Sequence, residues 1–190
     1  MCVSGIVFAA IAPHGGIAVE EACDPGEEQV AIKTRRGMER LGRLFAEAKP
    51  DSVVIATPHN VHIGGALGVV VAGRVAGRLS GAPPSVALDV PSDTDLAWRI
   101  LSEWHEAELP SAGISFGGND PASAVAPMDW GVLIPPWFMG GRADPPPPIV
   151  VVTPARDLPP EAHVQAGAGI ARAAAASGRR VAFIDRKSVV

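Results

Sequence analysis

The sequence predicts an α/β domain: a mostly parallel sheet flanked by helices on both faces, in three layers, incomplete at the C-terminus. Three observations carry this. Short β-branched runs alternate with longer stretches of helical period. Hydrophobic residues make up 47% of 190, enough for a packed core in one domain. Most of the 21 glycines and 19 prolines fall between the periodic segments, as loop residues do.

Residues 5–12 read as a buried strand. Residues 27–49 follow with helical spacing of Val30, Met38, Leu41, Leu44 and Phe45, starting near Asp24-Pro25 and stopping at Lys49-Pro50. Residues 53–57 form a second buried strand, which makes a right-handed β-α-β unit with the first. Residues 67–72 and 74–79 suit a hairpin across Gly73, and 85–90 another strand. A helix is expected over 92–109, with Ser92 and Asp95 as a partial capping pattern. Residues 110–148 read as irregular, ending in the stiff connector "PPPP". A strand at 149–153, a helix over 159–177 closed by Gly178, and a strand opening at 181–184 complete the pattern.

The last six residues, "DRKSVV", break that pattern. They also match the translation of a common sequencing-adapter oligonucleotide up to its stop codon. The expectation is that 185–190 are a non-native tail and that the native chain continues from 184.

Charge and composition exclude several classes. The formal net charge is −4, and no basic patch points to nucleic acid or a membrane surface. Arg35, Arg36, Arg40 and Arg43 alternate with Glu39 and Glu47, as on a solvated helix face. Cys2 and Cys23 without a secretory leader suggest a reducing compartment, and no run reaches the ~20 apolar residues of a membrane span. A soluble cytoplasmic protein is expected.

Two strands end alike. "IAPHGG" carries Pro13-His14 and "VVIATPHNVH" carries Pro58-His59, with His62 three residues on. In an open parallel sheet, ligands sit beyond the carboxyl ends of the strands, so the two turns can share a crevice. Proline stiffens each turn, and neutral imidazole suits iron, zinc or copper. On spacing alone, a metal pair and ordinary hydrogen-bonded loop histidines stay open.

The segments "IAPHGG", "DSVVIATPHNVH" and "PMDWGVLIPPWFM", in this order and at these separations, resemble the class III extradiol ring-cleavage dioxygenases. This is the superfamily of the protocatechuate 4,5-dioxygenase catalytic subunit, with metal-site relatives of the Memo type. The resemblance runs over residues 5–184, the N-terminal two-thirds of such a domain. It implies Fe(2+) as cofactor, an aromatic diol and O2 as substrates, and no nucleic-acid or membrane partner; it leaves a homo-oligomer open. It implies His14 and His59 as metal ligands. The family's third ligand, a downstream glutamate, has no counterpart here, and its acid/base histidine falls beyond residue 184. Where several relatives have Asp-His-Gly, this chain has Asp129-Trp130-Gly131, so any mechanism needing an imidazole there is in doubt. His62, Asp129, Trp130 and Trp137 are expected around the substrate pocket; for Trp130, Trp137 and Phe138 plain core is the competing reading, and for His62 a solvent-facing loop.

Other candidates carry less. His105 and His163 read as surface residues, and Glu20, Glu21 and Asp24 as loop carboxylates near His14. A zinc-dependent hydrolase and a non-catalytic metal-site protein are the rival functions.

Overall fold

The computed structural model of the chain describes residues 4–83 and 85–186. Cys2 and the end of the expected tail, 187–190, lie outside them. The strands are β1 (Gly5–Ala12), β2 (Ser52–Ala56), β3 (Leu67–Val70), β4 (Arg74–Arg78), β5 (Ala87–Pro91), β6 (Ser111–Ile114), β7 (Val125–Pro127), β8 (Ile149–Thr153) and β9 (Arg180–Arg186). The α-helices are α1 (Ile32–Ala48), α2 (Thr94–Glu106), α3 (Trp130–Phe138) and α4 (Pro160–Ala176).

Six strands form the main sheet in the order β1-β9-β2-β8-β3-β6. All its pairings are parallel except β3 with β8. Strand β9 therefore lies between β1 and β2, so the two strands of the expected β-α-β unit are not direct neighbours. The expected three-layer α/β architecture is present.

Period-two alternation splits the central strands between two cores. Val53, Ile55, Val151 and Ile184 face one side, where they pack with Met38 and Phe45 of α1 and Ile134 of α3. Val54, Val150, Val152 and Val181 face the other, against Leu96, Ile100 and Trp104 of α2 and Ile170 of α4. Trp104 is buried, and its indole N–H donates to the Ala166 carbonyl at 2.9 Å.

Several sequence expectations are corrected. The hairpin across Gly73 does not form: β3 stays in the main sheet, whereas β4 crosses to a smaller sheet of order β5-β4-β7. The crossing works because Gly73 passes against the Ala122 carbonyl, where a Cβ would collide. Helix α1 starts at Ile32, not near Asp24, because the segment before it folds back in short turns around Arg35. Arg35 is accordingly not on a solvated face. It is buried, and its guanidinium donates to the carbonyls of Ala18 at 3.0 Å and Glu28 at 2.9 Å. Of the apolar residues assigned to that helix, Val30 precedes it and is exposed, and Leu44 faces outward.

The N-cap of α2 is Asp93, whose carboxylate accepts from Leu96 N at 3.1 Å and pairs with Arg179. Residues 110–148 are not irregular throughout, since they hold β6, β7 and α3. Pro135 and Pro136 inside α3 hide it from a pattern search, because interior proline ordinarily argues against a helix.

Glycine in the middle of α1 gives a signed test. Gly42 lies against the Phe138 carbonyl, where a Cβ would clash with backbone. Helix propensity alone favours Gly→Ala by about 1 kcal/mol. Gly42→Ala should instead destabilise the chain by roughly 1–3 kcal/mol in urea denaturation, because backbone must move to admit the methyl. Arg35→Ala should cost about 2–4 kcal/mol in the same measurement, since it strands buried carbonyls.

Candidate metal centre

Parallel register aligns the strand ends. Ala12 of β1 lies opposite Arg186 of β9, and Ala56 of β2 opposite Asp185. Pro13-His14 and Pro58-His59 therefore leave the sheet at the same edge, on either side of the end of β9. The two imidazoles meet there, with ring centroids 5.4 Å apart and planes tilted by 48°.

The second turn is held by its own backbone. Thr57 is buried, and its hydroxyl accepts from His59 N at 3.1 Å. Asn60 follows with φ of 76°, a left-handed conformation that asparagine tolerates better than most residues.

Asp129 ties this turn to α3. One carboxylate oxygen caps the helix by accepting from Val132 N at 3.0 Å. The other accepts from Asn60 N at 3.2 Å and lies 3.6 Å from His59 Nδ1. A carboxylate beside one ring nitrogen leaves the other to face an ion. The next residue, Trp130, sets its indole edgewise to the His59 ring, with centroids 4.9 Å apart, and is 48% exposed. Gly131 sits in a tight place: a Cβ there would meet Thr57 Oγ1 at 3.1 Å, His59 Cβ at 3.2 Å and Arg186 Nε at 3.3 Å, so a neighbour would have to give by a few tenths of an ångström.

The structure thus brings together His14, His59, Asp129 and Trp130. It does not bring in Trp137, which is buried in the core under the Arg142 guanidinium, 4.7 Å from the ring centroid. His62 is exposed. Glu20 and Glu21 are engaged with Arg35 and Arg142 at 3.7 and 3.6 Å. His105 is exposed and His163 half-buried, and their rings lie at hydrogen-bond distance from the carbonyls of Ser111 and Pro159.

Sequence reasoning missed Thr57, Asn60 and Arg186 as neighbours of the centre. The Asp129 cap was open to notice, since Asp directly before an apolar run is an N-cap signal. Arg186 was set aside with the tail, yet it continues β9 and is 6% exposed. Its Nε and one terminal nitrogen have no hydrogen-bond partner among the described residues, and burial holds its pKa below the usual arginine range.

Two cavities flank the centre. One of about 290 Å³ is lined by Pro13, His14, Gly15 and the start of α1. Another, of about 300 Å³, opens on the opposite face of the sheet between Thr57, Trp104, His163 and Phe183, and neither His14 nor His59 lines it. Among the described residues, no three His, Cys, Asp or Glu side chains converge closely enough to hold a metal ion by themselves. No described helix is long and apolar enough to cross a membrane.

Comparison with known proteins identifies the class. Residues 8–185 match the family described as the catalytic LigB subunit of aromatic ring-opening dioxygenase, and the chain belongs to that family. Among solved structures it is similar to an uncharacterized protein, JW3007, from Escherichia coli K12, at 19% identity and a TM-score of 0.54. That match covers 82% of this chain and 52% of the other, so the chain spans about half the length of that relative. At this identity the likeness bears on the fold. No curated protein sequence matches.

Removing the Asp129 carboxylate tests its part in the turn. Asp129→Ala should lower stability by about 1 kcal/mol through loss of the cap. Asp129→Asn, which keeps an acceptor for Val132 N, should lower it by less in thermal or urea unfolding.

Proposed function

We propose that this chain carries the two-histidine part of a non-haem Fe(2+) centre that serves extradiol cleavage of a catechol-type aromatic diol by O2. The observation that supports this most is the approach of His14 and His59 to 5.4 Å between ring centroids. Two imidazoles on one ion at ~2.1 Å would stand roughly 4.5–5.5 Å apart by centroid. The donor chemistry fits as well, since iron sites of this type take two histidines and one carboxylate. The carboxylate is not supplied by the described residues. Asp129 is not free to be that ligand, because it caps α3 and bonds the Asn60 amide.

When bound, Fe(2+) supplies the electronic coupling between the diol ring and O2. The chain's own residues do the rest. Pro13 and Pro58 restrict the turns that present the imidazoles. Asp129 orients His59 by facing its Nδ1. Trp130, half-exposed and edge-on to His59, offers an apolar wall to a flat ring at the mouth of the centre. No described residue takes the proton-transfer role in this reading.

The domain reading goes with it. Residues 1–184 represent the N-terminal part of a longer catalytic domain, a reading that the half-length match to the solved relative supports, and 185–190 a non-native tail. Genomic sequence past codon 184 tests it, and a native DRKSVV followed by a stop would refute it.

Anaerobic titration with Fe(2+) or Co(2+) should give weak, His-dependent binding, and His14→Ala or His59→Ala should each weaken it at least tenfold. Catechol-type substrates added with O2 should give little or no ring-fission absorbance. Binding unaffected by both substitutions would refute the shared centre. Zinc-supported hydrolysis without an oxygen requirement would replace this reading with a hydrolase.

A further inference from the structure

We propose that Arg186 plugs the centre between His14 and His59 and excludes a divalent cation from it. This rests on the metal-centre reading above and adds to it a reason for the weak metal binding expected of this chain.

The topology sets the plug in place. Strand β9 runs between β1 and β2, and Arg186 is paired with Ala12, two residues before His14. The Gly131 contacts put its Nε in the same small space as Thr57 Oγ1 and His59 Cβ. The residue is 6% exposed, and two of its three guanidinium nitrogens are buried.

No anion among the described residues neutralises it. Arg186 Nε and one terminal nitrogen are buried without a partner. The neighbouring acids are committed or face away. Asp129 is engaged by Val132 N, Asn60 N and His59. Asp185, one residue earlier in the strand, points to the opposite face and lines the cavity beside Phe183 and Trp104.

An unpaired buried charge is costly in itself, and a second cation beside it is worse, because like charges repel strongly where water is excluded. Guanidinium is a fixed cation that donates and never accepts, so it cannot serve as a ligand. A divalent ion could enter only by displacing it. Arg186 belongs to the segment read above as non-native, and the inference concerns the chain that carries it.

The test uses the full chain as wild type, Arg186→Met, Arg186→Gln and the double variant Arg186→Met/His14→Ala. Co(2+) is titrated and followed by its visible absorption and by tryptophan quenching. Both single variants should bind Co(2+) at least tenfold more tightly than wild type, and the double variant should lose the gain. Without metal, Arg186→Met should also melt several degrees higher, since it removes an uncompensated buried charge. Equal Co(2+) affinity in wild type and both single variants, still dependent on His14, would overturn the plug and leave the metal centre standing. Absence of His14-dependent binding in every variant would overturn both. A lower melting temperature in both single variants would show that the guanidinium has a stabilising partner, and would overturn the plug.

Discussion

The parallel pairing of β9 between β1 and β2 is the constraint on which the rest depends. Nothing in the two Pro-His turns themselves brings them together; they are 45 residues apart by number. The backbone ladder does so, because parallel strands in register end at the same edge, and whatever follows each strand meets there. The apolar alternation of β2, β8 and β9 makes that register hard to change. A slip of one residue would turn Val53 and Ile55 to the wrong core and break both cores at once.

The second constraint is economy around α3. A single carboxylate, Asp129, starts the helix, holds the Asn60 amide and faces His59, so the helix and the turn are positioned against each other. Gly131 then lets the helix lie close against Thr57 and His59, where a Cβ would be tight. The short spacing Asp-Trp-Gly thus gives, in consecutive residues, a helix cap, a half-exposed indole beside His59 and a close approach of backbone. The tryptophan offers a surface and no transferable proton, so its contribution to any chemistry here is shape.

Against these local fits stands Arg186, buried at the end of β9 beside Gly131, with no compensating acid among the described residues. Natural cores rarely keep such a charge unpaired.

Much was legible beforehand, and for physical reasons. Strands β1, β2, β5, β8 and β9 and helix α4 declare themselves because β-branched runs and helical periods are local properties. His14 and His59 were marked by a repeated turn chemistry at strand ends. What was not legible depended on contacts distant in sequence. The switch of β4 to a second sheet depends on Gly73 passing Ala122, and the burial of Arg35 on carbonyls 7 and 17 residues away. Helix α3 was hidden by Pro135 and Pro136, whose cost is offset by burial of that segment in the core. The amino-acid order by itself determined the α/β class, the central strands and the paired histidines, since each follows from neighbouring residues. Only the tertiary structure decided that β9 separates their strands, that Asp129 faces His59, and that Arg186 is buried at the end of β9, because register and burial are settled by segments that meet only on folding.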